Sequence, residues 1–256
     1  MQGMIEKRGS IGIIWIDNPP VNAISHAVRE GLIKAVENAS KDSEIKGLVL
    51  ACRGRTFMAG ADITEFASGV KPPWLGEVID TMSESSKVIV AAIFGTTFGG
   101  GLEVALGCNY RIADSNTKIG LPEVKLGIIP GAQGTQRLSR VSSVEFALKL
   151  ATLGNPVGAQ EALEAGAIDK ISNGELIDDA VSYAKELLKD NAPLKKSHTL
   201  SIDPKKYNDS FFDDYRKTIS RKTRGMAAPE CCIKAIQASV NLPFEEGVKF
   251  EREMTI

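Results

Sequence analysis

The chain has 256 residues, 43% of them hydrophobic and 25% charged, enough to bury a large core and ordinary for a globular protein. Its formal net charge is −1, so no overall field draws it to nucleic acid or to an anionic membrane. Two histidines in unrelated contexts (His26 and His198), and four cysteines without a CxxC pair (Cys52, Cys108, Cys231 and Cys232), argue against a zinc site and a disulfide framework.

Ser10–Asp17, SIGIIWID, is rich in β-branched residues and stops at NPP, which predicts a strand followed by a turn. ISHAVREGLIKAVENASKD then places Val28, Leu32, Ala35, Val36 and Ala39 at helical spacing. Ile45–Gly54 reads as a short buried strand, and TFMAGADITEF as a loop entering a helix at Asp62. LGEVIDTMSESS predicts a helix. Lys87–Gly95, KVIVAAIFG, predicts a strand, and the glycines after it open another helix. YRIADSNTKIGLPEV holds a strand, a turn at Asp114–Asn116 and a short strand. SSVEFALKLATLG and GAQEALEAGAID are helical on either side of NPV, KISN ends a strand, and a helix covers about Glu175 to Asn191. Beyond Pro204 charge increases and PECCIKAIQASVN is helical in period; the basic run RKTISRKTR (Arg216–Arg224) reads as a solvated helix face or connector. Strands alternating with helices predict an α/β protein with a helical C-terminal segment. No apolar run reaches the ~18 residues of a membrane-spanning helix and the cysteines read as reduced thiols, so a soluble intracellular protein is expected.

FGTTFGGGLEVALGC (Phe94–Cys108) carries the first functional signal. Gly99, Gly100 and Gly101 lie between a predicted strand and a predicted helix, where helix N-terminal N–H groups are unsatisfied and favour negative charge. A phosphate is one candidate, but the GKS/T ending of a P-loop and the GxGxxG fingerprint are both absent, and GAQGTQ (Gly131–Gln136) misses that fingerprint too. The other candidate is an oxyanion developing on a thioester or ester carbonyl. Glu103 opens the same helix with Leu106 and Gly107 at i+3 and i+4, so no cation partners it locally. Taken alone it also fits a surface glutamate favouring the helix dipole. Glu123, in the apolar, Gly/Pro-punctuated GLPEVKLGIIPGAQG, changes the weight. Two carboxyl groups beside an oxyanion site can hold one water and move protons, with burial separating them into an acid and a base.

IFGTTFGGGLEVALGCNYRIA, GLPEVKLGIIPGAQGTQRL and TFMAGADITEF together resemble the enoyl-CoA hydratase/isomerase family, the crotonase superfamily. The likeness runs from the N-terminus to about Asn191, and APECCIKAIQASVNLPFEEGVKFERE resembles the segment that follows in multifunctional fatty-acid oxidation enzymes. The resemblance implies a crotonase-like spiral of ββα units, with a catalytic core over 1–200 and a helical C-terminal segment over 201–256 packing on it. It implies an oxyanion hole formed by the N–H groups of Ala61 and Gly100, and catalytic roles for Glu103, which holds water, and Glu123, which supplies the α-carbon proton. Ala59, Asp62, Ile63 and Gly99 would contact substrate, with no metal. Asn109 stands where many members carry Asp, and Phe94 where a polar residue is common.

The implied activity is addition of water across the 2,3 double bond of enoyl-CoA thioesters in fatty-acid β-oxidation, with 3,2-enoyl-CoA isomerisation left open. A thioester hydrolase of the same superfamily and a non-catalytic acyl-CoA-binding module are the alternatives. No cofactor is expected beyond the coenzyme A of the substrate, and no nucleic-acid or membrane partner. A second copy of the chain, or a 3-hydroxyacyl-CoA dehydrogenase region absent from this sequence, is the expected protein partner. The implied location is cytoplasmic for a bacterial protein and peroxisomal for part of a larger eukaryotic one. In the tail, Ile233, Ile236, Val240 and Val248 recur on one face, which predicts that the segment folds back and walls the acyl-chain side of the site.

Overall fold

Apolar runs without alternation, such as IGIIWI and VIVAAI, suit strands covered on both faces, and that burial organises the chain. The computed structural model describes residues 2–62, 64–65 and 69–255. Its strands are β1 (Met4–Arg8), β2 (Ile11–Ile16), β3 (Gly47–Cys52), β4 (Val88–Ile93), β5 (Thr96–Phe98), β6 (Tyr110–Ala113), β7 (Lys118–Gly120), β8 (Val157–Gly158) and β9 (Lys170–Ile171). Its helices are α1 (His26–Lys41), α2 (Leu75–Ser83), α3 (Gly100–Gly107), α4 (Gly134–Val141), α5 (Val144–Leu153), α6 (Ala159–Glu164), α7 (Leu176–Lys189), α8 (Asp209–Ile219), α9 (Ala228–Asn241) and α10 (Phe244–Met254).

The larger sheet has the order β1-β2-β3-β4-β6-β9, parallel apart from the β1–β2 hairpin. Every residue of β2, β3 and β4 is buried. Ile11, Ile13, Trp15, Val49, Ala51, Val90 and Ala92 face α7, through its Ala180, Val181 and Ala184. The alternate residues, including Ile14, Ile16, Leu48 and Leu50, face the main core beneath α1, α2 and α3. A smaller sheet, β5-β7-β8, stands beside it.

A repeat links the two sheets. After β4 the chain turns at Gly95 (φ 59°), where a Cβ would lie 2.8 Å from the Arg55 carbonyl oxygen, and enters β5 and then α3. After β6 it turns at Asp114, whose carboxylate accepts from the Asn116 N–H at 2.8 Å, and enters β7 and then a 3-10 helix, Pro122–Leu126. Parallel pairing of β5 with β7 sets Phe98 opposite Gly120, and the Gly99 N–H donates to the Gly120 carbonyl at 2.9 Å. The segments that follow the two strands therefore emerge side by side. This is the ββα spiral of the crotonase fold.

Among the places where the local readings differ from the structure are β1 and α4. The strand expected to begin at Ser10 is preceded by β1, whose partly exposed MIEKR pairs antiparallel with β2 at the sheet edge and lacks the apolar density of a central strand. Helix α4 went unread because its only large apolar residues are Leu138 and Val141, and its Thr135, Gln136, Arg137 and Ser139 are nonetheless all buried. Its polar side chains bond inward: Gln136 Nε2 to the Ala235 carbonyl, Arg137 Nη1 to the hydroxyls of Ser83 and Ser197, Ser139 to Ser239. At the other end of the site, buried Arg111 donates from Nη1 to the carbonyls of Ala105 and Cys108, tying down the end of α3.

The C-terminal helices enter the same core. Phe212, Ile219, Cys232, Ile233, Ile236 and Val240 are buried with residues of α3, α4 and α5. Helix α9 lies on α4 and α5, and α10 lies on α4 and α9. Arg216, in the basic run, is paired with Glu230 and Asp213 at the surface.

Candidate active site

Helix α3 is apolar all round, and its eight residues are buried, Glu103 among them at 2% exposure. A glutamate in such a helix needs partners from elsewhere. They come from the loop before α4: Glu103 Oε1 accepts from the N–H groups of Ala132 (2.9 Å) and Gly134 (2.8 Å). Among the described residues no hydrogen bond reaches its Oε2. A Cβ on Gly134 would sit 2.7 Å from Glu103 Oε1, so that position has room for glycine alone.

Glu123 opens the 3-10 helix after β7, and the parallel β5–β7 pairing delivers it against Gly99. A Cβ on Gly99 would fall 2.6 Å from Glu123 Oε1. Its Oε2 is buried and has no hydrogen-bond partner among the described residues, an arrangement unusual enough in a folded protein to call for a ligand or a chemical role. Burial raises Glu103 to about 7, opposed by its two amide bonds and by Arg137. Burial, then the charges of Glu103 and Glu251, raises Glu123 to about 8.

The two amides singled out in the sequence lie next to each other. Gly100 is the first residue of α3, and the first intrahelical bond runs from the Glu103 N–H to the Gly99 carbonyl, leaving the Gly100 N–H as one of the helix's orphan donors. Ala61 forms an isolated parallel bridge with Ile24 in which residues 60 and 62 make the bonds, so its own N–H takes no part. A Cβ on Gly100 would stand 3.6 Å from the Ala61 nitrogen.

Ala59, Ala61, Asp62, Gly99, Gly100, Glu103 and Glu123 all line one cavity of about 680 Å³. Asp62 caps the start of the next turn, its Oδ1 accepting from the Thr64 N–H and hydroxyl. Ile63 lies outside the described residues. Arg252 and Thr255 line the cavity too, from the C-terminal segment expected to fold back over the site, whereas Trp74 at the N-cap of α2, Leu75 and Gly76 within α2, and the 131–132 loop are wall residues that the sequence reading did not name. That reading also missed Glu251, fully buried behind the 132–135 loop. A signal existed, since Glu251 falls at helical spacing from Phe244, Gly247 and Val248, on the buried stripe of α10.

Three buried carboxyl groups have a thermodynamic consequence. Burial and the charge of Glu103 also raise Glu251, to about 8, against the Gln133 and Thr135 donors that favour its ionised form, so all three carboxyls hold a proton more readily in the folded state than an unfolded chain's glutamates, near ~4.3. A raised carboxyl contributes its full stability below the unfolded pKa and loses it as pH climbs through the folded one. Urea-unfolding free energy is therefore expected to fall from about pH 4.5 to about pH 8 and to level off above that. A flat or rising profile across that window would contradict the picture of three protonatable interior carboxyls.

Fold and cavity together define an enzyme of the crotonase type, with paired interior carboxyls beside two backbone donors that have no partner among the described residues. The family model described as enoyl-CoA hydratase/isomerase matches residues 6–206. The peroxisomal bifunctional enzyme of Cavia porcellus is 41% identical over 250 residues, covering 96% of this chain and 34% of that protein. A probable enoyl-CoA hydratase of Bacillus subtilis (strain 168) is 34% identical over 224 residues, covering 78% of this chain and 87% of that one. A crystal structure of enoyl-CoA hydratase from Mycobacterium tuberculosis H37Rv superposes with a TM-score of 0.68 at 27% identity, over 96% of this chain and 87% of that one. The chain belongs to the enoyl-CoA hydratase/isomerase family. It spans about a third of the length of the bifunctional relatives it matches, so it corresponds to one region of those proteins.

Proposed function

We propose that this chain hydrates 2-enoyl-CoA thioesters, as a step of fatty-acid β-oxidation. The observation that carries the reading is the buried Glu123 Oε2, without a hydrogen-bond partner among the described residues, in the same cavity as Glu103, Ala61 and Gly100. The thioester oxygen would accept from those two N–H groups, which stabilise the enolate that forms when the β-carbon is attacked. Glu103, oriented by the Ala132 and Gly134 amides, takes a proton from water as the water oxygen bonds to the β-carbon. Glu123, whose buried Oε2 has no hydrogen-bond partner among the described residues and whose proton affinity burial raises, gives its proton to the α-carbon. Each product thus leaves Glu103 protonated and Glu123 ionised, and solvent exchange restores the pair. The reaction needs no cofactor beyond the coenzyme A of its substrate.

The cavity's size falls within the usual range for small-molecule sites, and exposed Trp74, Leu126 and Ile128 form an apolar rim suited to the acyl chain or the pantetheine arm. Arg252 and Thr255 wall the side formed by the C-terminal segment. The absence of a hydrogen bond on Glu123 Oε2 also favours 3,2-enoyl-CoA isomerisation as a second activity. One unanchored carboxyl can withdraw a proton at one carbon and return it two carbons away. The hydrated product is a secondary alcohol, so the proposed partner is a 3-hydroxyacyl-CoA dehydrogenase, in a longer chain or a separate one; self-association is proposed as the other contact. The location proposed is the peroxisome or the bacterial cytoplasm, the former named for one relative and the latter inferred from the bacterial origin of another.

The test is absorbance at the enone band of crotonyl-CoA with free thiol followed in parallel. Loss of absorbance without thiol release is the expected result. Thiol release would indicate hydrolysis, and no change in either would leave binding without chemistry.

A further inference from the structure

The alternation of amides around the 132–135 loop sets Glu251 apart. Glu103 takes the Ala132 and Gly134 N–H groups from one side. Glu251, from α10, takes the intervening pair from the other: Oε1 accepts from the Gln133 N–H at 2.6 Å, Oε2 from the Thr135 N–H at 3.0 Å and the Thr135 hydroxyl at 2.5 Å. Four consecutive backbone donors at the start of α4 are thus shared between two buried carboxyl groups.

A second observation shows that α10 is shaped for this seat. Gly247, one turn before Glu251, lies so close to α4 that a Cβ there would fall 2.2 Å from Gln136 Oε1. Gln133, whose N–H Glu251 holds, has a left-handed backbone (φ 77°), a conformation a non-glycine residue adopts only when its surroundings impose it. Its side chain is held as well, Nε2 donating to Asp80 and Oε1 accepting from Arg137 Nε. The link lies beyond residue 206, where the family match ends.

We propose that Glu251 is a positioning residue for the reaction: it holds the 132–135 loop so that the Ala132 and Gly134 amides keep Glu103 aimed into the cavity, making the C-terminal helix part of the hydration machinery. The inference rests on the hydratase reading above. It assigns Glu251 no contact with substrate and no proton transfer.

Glu251→Gln tests it. Glutamine has one accepting oxygen, and its NH₂ would face an amide donor, so one side of the loop is released. The expected result, on protein that still unfolds cooperatively, is a kcat about 10- to 100-fold lower with KM changed less than about threefold, because displacement of a reacting group by ~1 Å carries losses on that scale. A merely structural role would not predict the next readout. In a Glu103→Gln background, adding Glu251→Gln should cost less than about twofold further, since the group it positions is already disabled. Unchanged kcat in Glu251→Gln, or the same loss in both backgrounds, would overturn the proposal. Should Glu251→Gln fail to fold, Thr135→Val removes the hydroxyl that binds Glu251 Oε2. It is expected to lower kcat about fivefold, again only where Glu103 is intact, and wild-type kcat there would equally overturn the proposal. Wild-type turnover in Glu103→Gln itself would instead sink the hydratase reading on which all this rests.

Discussion

Glu103→Gln and Glu123→Gln are each expected to lower hydratase turnover by at least ~100-fold, the scale of positioned acid–base groups. Glutamine at 103 keeps an oxygen able to accept from Ala132 and Gly134, so the loop before α4 stays in place while the ability to take a proton from water is lost. Glutamine at 123 places an amide where the proton donor stood, in a spot where the native oxygen has no competing bond. The pair should differ in isomerisation, which Glu103→Gln is expected to tolerate better than Glu123→Gln. Near-normal hydration in either folded variant would remove that glutamate from the mechanism, and equal loss of isomerisation in both would remove the single-base picture.

Gly99→Ala is expected to have an effect of similar size from a single methyl group. Gly99 has φ 52° and ψ −126°, a region that L-residues rarely adopt, so alanine strains the backbone by ~1–3 kcal/mol. Its Cβ would also lie 2.6 Å from Glu123 Oε1, which must then move. Turnover is expected to fall about 100-fold or more, alongside a lower denaturation midpoint. Gly9→Ala separates the two effects, because Gly9 has φ 62° with nothing within 4 Å of an added Cβ. That variant should lose stability and keep its turnover. If Gly99→Ala behaves like Gly9→Ala, the close fit of Glu123 against Gly99 has no bearing on catalysis.

Much of this architecture was legible from local patterns. α1 begins at His26 behind a Ser25 cap whose hydroxyl accepts from the Val28 N–H, and its buried face is the stripe Val28, Leu32, Ala35, Val36 and Ala39 read from spacing. The strand-to-glycine-to-helix reading of 87–107 corresponds to β4 and α3, with the short β5 unread between them because three residues carry too little period to register. α4 stayed hidden for a different reason. Buried polar side chains that find their partners inside look, in sequence, like solvated ones, and only the neighbours at Ser83, Ser197, Ala235 and Ser239 distinguish the two. Glu251 repeats the lesson in the tail, where FEEGVKFERE presents four glutamates and nothing local separates the buried one from those in solvent except its place on the stripe.

The sequence by itself marked the candidates for the chemistry: glycines between a strand and a helix, and two glutamates in apolar segments. These are properties of a residue and its near neighbours along the chain, set by backbone sterics and hydrophobic period. Tertiary structure alone decided that those residues meet. Pairing of β5 with β7 brings Glu123 against Gly99, and the loop before α4 supplies the donors that keep Glu103 in place. Glu251 reaches that loop from more than a hundred residues away because glycine at 247 lets two helices touch. Burial of the carboxyls follows from that packing, and with it the raised proton affinities of Glu103 and Glu123 on which the proposed reaction depends. Desolvation belongs to the enclosed volume, which no single segment of the chain creates.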